Sequence, residues 1–100
     1  MKIITICGSF KFKNEMMKVA EYYSLQGNVV ILPNFPIREN YTKEEIQLFG
    51  DMHKEKIKLS DSVVIVNVDN YIGLATKTEI DLAKSLNKEI IYYTEIINKI

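Results

Sequence analysis

Among the side chains able to do chemistry, Glu79 stands out by its setting. Residues 61–79, DSVVIVNVDNYIGLATKTE, read as an apolar strand, a turn-forming loop with Asn67, Asp69, Asn70, Tyr71 and Gly73, and a helix start near Thr76. In an open parallel sheet, the loop after a strand's carboxyl end borders the crevice where ligands bind. A carboxylate in the first turn of the next helix faces that crevice, kept ionised at neutral pH by the helix dipole. Such a group can attack an anomeric carbon and form a covalent glycosyl intermediate. The same spacing has a plainer reading. Thr76-Lys77-Thr78-Glu79 matches a capping box, as does Thr42 with Glu45, and spacing alone favours the cap.

The remaining candidates each carry two readings. Asp69 and Asn70 suit a turn, whose backbone they can bond, and equally a second acid or partners for sugar hydroxyls. Tyr71 forms an apolar wall for a ring or simply packs. His53 falls on an apolar helix stripe, where a core histidine is the commoner outcome, although its unperturbed pKa near 6.5 suits general acid work. Gly8-Ser9-Phe10 is a turn in which glycine lets a ligand approach the backbone, but it has neither Walker nor GxGxxG spacing. Lys11, Lys13 and Lys77 flank the crevice, as solvated surface or as phosphate contacts. Cys7 reads as a small packed hydrophobe and Asp61 as structural.

The elements that must position these groups follow from pattern. Residues 3–7, 29–32, 63–66 and 90–93 are short, β-branched or apolar runs of the kind buried on both faces of a parallel sheet. Between them lie helical patterns. Residues 15–26, with Asn14 as a candidate N-cap and Gly27 as C-cap, carry Met16, Val19, Ala20 and Tyr23 on one side. The helix after Thr42 runs to about Ser60 with the stripe Ile46, Phe49, His53 and Ile57. A third helix, residues 76–87, turns Ile80, Ala83 and Leu86 inward, and residues 94–100 suggest a short closing helix. Residues 33–41, PNFPIRENY, hold both prolines and form a loop. Alternating strands and helices predict an α/β fold of about four parallel strands, right-handed crossovers and helices on both faces, in the order 2-1-3-4. That order brings the turn at Gly8 and the loop at residues 67–73 to one crevice.

Bulk properties bound the function. One hundred residues suit one domain; 47% are apolar and 26% charged, an ordinary globular balance. Thirteen basic and thirteen acidic side chains cancel, so no long-range field favours a nucleic acid polymer or an anionic membrane. The single cysteine excludes a disulfide framework and a CxxC metal site and fits a reducing, cytoplasmic setting. No apolar run approaches the roughly 20 residues that span a bilayer.

The order of these motifs resembles the nucleoside 2-deoxyribosyltransferases and their hydrolytic relatives, the 2'-deoxynucleoside 5'-monophosphate N-glycosidases. The resemblance rests on strand, Gly8-Ser9-Phe10 and helix, then a strand, a loop with Gly73 and the helix-start Glu79, and it runs from Lys2 to about Tyr93. It implies a three-layer, Rossmann/flavodoxin-like domain over residues 1–100, with Glu79 as nucleophile and Gly8, Ser9 and Phe10 contacting the base and sugar. Asn67, Tyr71, Gly73 and Thr76 fall on the same substrate-binding crevice. The position of a further catalytic aspartate in that family falls on His53, and a second acidic position falls near Gly73, with Asp69 the nearest acid. The arginine of phosphate-specific relatives is replaced by Phe10-Lys11. The implied reaction is cleavage or transfer at the N-glycosidic bond of a 2'-deoxynucleoside or its 5'-monophosphate, with His53 or Asp69 assisting the leaving base. It needs no metal and no organic cofactor, and it implies a homo-oligomer. The alternatives are a catalytically silent module binding a nucleoside derivative in the same crevice, and an interaction protein sharing only the architecture.

Overall fold

The computed structural model describes residues 1–100. Its centre is a parallel sheet of four strands, β1 (Ile3–Gly8), β2 (Val29–Ile31), β3 (Ser62–Val66) and β4 (Glu89–Tyr92), in the order β2-β1-β3-β4. The helices are α1 (Lys13–Leu25), α2 (Lys43–Leu59), α3 (Leu74–Ser85) and a four-residue α4 (Tyr93–Ile96). The expected α/β class and strand order are present. No helix is long and apolar enough to cross a membrane.

Alternation along the two central strands divides the core between the faces. Ile4, Ile6, Val64 and Val66 pack with Met16 and Val19 of α1 and with Tyr93 and Ile96. Cys7, Val63 and Ile65 pack on the opposite face with Ile57 of α2 and with Ile80 and Ala83 of α3. The result is three layers, and every residue of β3 is buried, as a two-sided strand demands. Thr5, also fully buried on β1, shares its hydroxyl with Ser60 and donates to the Lys56 carbonyl at 3.1 Å. That satisfies the buried hydroxyls of Thr5 and Ser60. Asp61 sits at the other end of the sheet from the crevice, where it accepts the Ile3 N–H at 2.8 Å.

Helix ends follow local chemistry, with two departures at helix starts and one at the carboxyl end, where α4 stops at Ile96 instead of continuing to residue 100. Thr42 and Glu45 form a reciprocal capping box at the start of α2. Gly27 and Asn87 take left-handed backbone (φ 87° and 57°) just past α1 and α3. The first departure is α1, which begins at Lys13 with no side-chain cap, so Asn14 lies inside it. The second is α3, which starts at Leu74 with Gly73 as a bare N-cap. Thr76 is therefore within the helix and Glu79 is its sixth residue, too far along to return a bond to the helix start. The Thr76–Glu79 capping box does not exist.

At the carboxyl ends of the central strands, Gly8 lies directly beside Val66. A Cβ at Gly8 would stand 3.0 Å from the Val66 carbonyl oxygen and 3.3 Å from its Cβ, atoms fixed in the sheet. Gly8→Ala is expected to cost about 1–3 kcal/mol of stability through this overpacking, measured by urea denaturation.

Candidate functional site

The crevice is a cavity of about 410 Å³ at the carboxyl edge of the sheet. Its floor comes from the turn after β1 (Gly8, Ser9, Phe10) and its one side from the start of α3 (Gly73 to Thr76, and Glu79). The opposite wall combines α2 (Ile46, Phe49, His53) with the loop after β2 (Pro33, Asn34, Pro36, Tyr41). That loop is pinned by the Lys56 ammonium on the Leu32 carbonyl at 2.9 Å, and by edge-to-face packing of Phe35 on Phe10 and of Tyr41 on Phe49. The apolar stripe of α2 is divided. Ile57 and His53 are buried against the sheet, whereas Ile46 is 60% exposed and Phe49 half-buried, and both face the cavity.

Of the residues singled out from sequence, the fold brings Gly8, Ser9, Phe10, His53, Gly73, Thr76 and Glu79 to this one cavity. Three of the expected catalytic and substrate-binding residues, Asp69, Asn67 and Tyr71, lie outside it, as do Asn70 and the flanking lysines. Asp69 is exposed in a short 3-10 turn with left-handed backbone (φ 53°), so Glu79 is the one carboxylate lining the cavity. Asn67 is buried and braces the chain, accepting the Thr94 N–H at 3.2 Å and donating to its hydroxyl at 3.4 Å. Tyr71 is exposed, packed edge-on to Phe12 and covered by the Lys11 ammonium 3.4 Å from its ring centre. Lys13 likewise lies over Phe35, and no lysine or arginine lines the cavity.

Sequence reading missed Cys7. It is fully buried at the end of β1, with its Sγ 3.3 Å from His53 Nε2. The same nitrogen lies 3.9 Å from a Glu79 oxygen, and the His53 and Glu79 side chains are only 8% and 17% exposed. The three donor atoms fall within 4.8 Å of one another. Nothing in the local sequence announces this group, because β1, α2 and α3 each contribute one member. Position was the only hint: Cys7 immediately precedes the crevice glycine.

Burial governs the charges of the trio. It pushes the Glu79 carboxyl up to about 7, against the opposing pull of Lys54 and the Cys7 thiol. The helix dipole, which fades within the first turn, does not keep this second-turn carboxyl ionised as expected. Burial, aided by Lys56, lowers His53 to about 4, so the imidazole is neutral at pH 7 and its contact with Glu79 is no ion pair. Burial and the neighbouring Glu79 carboxylate raise the Cys7 thiol well above its ordinary value. His53 Nδ1 is buried without a hydrogen-bond partner.

No family model matches the chain, and no curated protein matches its sequence. Among solved structures it is similar to a 2-desoxiribosyltransferase from Leishmania mexicana, with a TM-score of 0.61 and 17% identity. The likeness covers 92% of this chain and 63% of that one, so the chain spans just under two thirds of that protein's length. At this identity the likeness is one of fold: the same three-layer α/β architecture.

The two shifted groups oppose each other in pH dependence. Between 4.5 and about 7, folded Glu79 keeps a proton the unfolded chain has released, so its term lowers stability as pH rises. Between about 4 and 6.5, folded His53 lacks a proton the unfolded chain holds, so its term raises stability as pH rises. In wild type these offset across their shared window. In His53→Gln only the Glu79 term remains, and urea denaturation in EDTA-containing buffer should show stability falling by on the order of 2–3 kcal/mol from pH 4.5 to 7.5.

Proposed function

We propose that the protein cleaves or transfers at the N-glycosidic bond of a 2'-deoxynucleoside, with Glu79 as the nucleophile. The observation that carries this is the solitary Glu79 carboxylate on the wall of a 410 Å³ cavity otherwise lined mainly by apolar and small side chains. That is a volume suited to a nucleoside. The fold shared with a deoxyribosyltransferase supports the reading.

In this mechanism the Glu79 carboxylate attacks C1' of the sugar as the C1'–N bond to the base breaks through an oxocarbenium-like transition state. Phe10, Phe49 and Tyr41 offer apolar surface to the base. The first-turn N–H groups of α3, which no side chain caps, are donors for the sugar hydroxyls. Water or a second base then attacks C1' and releases Glu79. With no cationic side chain in the cavity, any 5'-phosphate must be held by backbone amides and neutral donors such as Ser9, Asn34 and Thr76, and the unphosphorylated nucleoside is the better fit. His53 is uncharged and Asp69 is outside, so the departing base takes its proton from water in the cavity. Bases that leave readily as anions are therefore the favoured substrates.

The missing charged acid also favours a second reading, a binding module that holds a nucleoside derivative without cleaving it. A cytoplasmic homo-oligomer completes the proposal. Leu74 and Ile46 are 82% and 60% exposed on the cavity rim, apolar surface that a second chain would cover.

Glu79→Gln separates the readings. Wild type is expected to release free base from one or more members of a deoxynucleoside panel, followed by chromatography, and the variant to lose at least a hundredfold in rate. Because the amide never ionises, the variant should be at least as stable as wild type above pH 7, the opposite of a lost cap. Base release by neither protein, with nucleoside binding in both by calorimetry, would establish the silent module. For the oligomer, Leu74→Asp is expected to reduce the mass seen in light scattering to that of one chain.

A further inference from the structure

We propose that Cys7, His53 and Glu79 together bind a zinc-class divalent cation. Three kinds of donor, a thiol, an imidazole and a carboxylate, converge from β1, α2 and α3, with their ligand atoms within 4.8 Å of one another. In a tetrahedral zinc centre, bond lengths of about 2.0–2.3 Å place neighbouring donors roughly 3.4–3.6 Å apart. Cys7 Sγ and His53 Nε2 are already 3.3 Å apart, and His53 Nε2 and Glu79 3.9 Å. The Cys7–Glu79 edge, within 4.8 Å, is the one that must shorten most, by up to about 1.2 Å, through rotation of the flexible Glu79 side chain. His53 and Glu79 line the cavity, which gives the ion its route in and leaves the fourth position to water.

Charge argues in the same direction. A thiolate and a carboxylate buried side by side repel, whereas a divalent cation neutralises both. On binding, the Cys7 thiol gives its proton to solvent, its sulfur bonds the metal, Glu79 binds as the carboxylate, and neutral His53 contributes a lone pair. The soft sulfur selects zinc or cobalt over magnesium or calcium. His53 Nδ1 has no hydrogen-bond partner to orient the ring, so affinity should be about 10–100-fold below that of a site with one. The ligated Glu79 is no longer a free nucleophile, so zinc would inhibit the reaction, a consequence that rests on the function proposed above.

Cobalt(II) titration of the full chain tests the site without reference to activity. One equivalent should bind with an intense thiolate-to-cobalt absorption band, which zinc abolishes and magnesium leaves unchanged. His53→Gln and Glu79→Gln should each weaken binding at least tenfold. Zinc at a hundredfold excess over its Kd should raise the wild-type melting temperature by about 10 °C, and that rise should vanish in Cys7→Ser. This second measurement decides the matter if either cavity variant fails to fold. Absence of the band, or a band unaffected by His53→Gln and Glu79→Gln, would overturn the proposal. Metal binding in a protein without base release would retain the site and remove only the inhibitory consequence.

Discussion

The close pairing of β1 and β3 is the constraint on which the rest depends. These strands are buried on both faces, and their register sets Gly8 against Val66 at the carboxyl edge. With no side chain at Gly8, the chain can leave the sheet at that point and turn across the top of the core. The cavity floor, the depth of Cys7 beneath it and the placing of α3 opposite all follow from this junction. The helices are held by the same strands, since each face of the sheet offers alternate residues of β1 and β3 to its own pair of helices.

That arrangement also explains the unusual electrostatics. Residues one position apart on β1 point to opposite layers, and Cys7 belongs to the layer shared with α2 and α3. Those two helices deliver His53 and Glu79 to the rim of that layer, where packing excludes most water. Desolvation rather than any neighbouring charge is the largest influence on all three groups. The site is a polar knot at the margin of an apolar core, with Cys7 and His53 uncharged and Glu79 about half ionised at pH 7.

Much of the fold was legible because it rests on short-range rules. β-branched runs marked the strands, Thr42 with Glu45 marked the start of α2, and Gly27 and Asn87 marked helix ends where left-handed backbone was required. The start of α3 was not legible, because Gly73, Leu74 and Ala75 carry no capping side chain and Thr76 offered a false one. The candidate site was legible in part for the same reason. Strand order alone brought the Gly8 turn and Glu79 together, but the reach of a loop is not written in residue type, and Asp69, Asn67 and Tyr71 lie elsewhere. Cys7 looked like a hydrophobe and is buried like one. Its chemistry comes from partners that only the tertiary structure supplies.

The divided stripe of α2 has a consequence for how such a protein can change. Its carboxyl half, with Ile57, is committed to the core, while Ile46 and Phe49 line the cavity outside both core clusters, Phe49 against Tyr41. The loop of residues 33–41 on the same wall is likewise outside both core clusters apart from Phe35. Selection can therefore alter ligand preference on one end of this helix while leaving foldedness to the other. Specificity and stability are inherited on separate turns of a single helix.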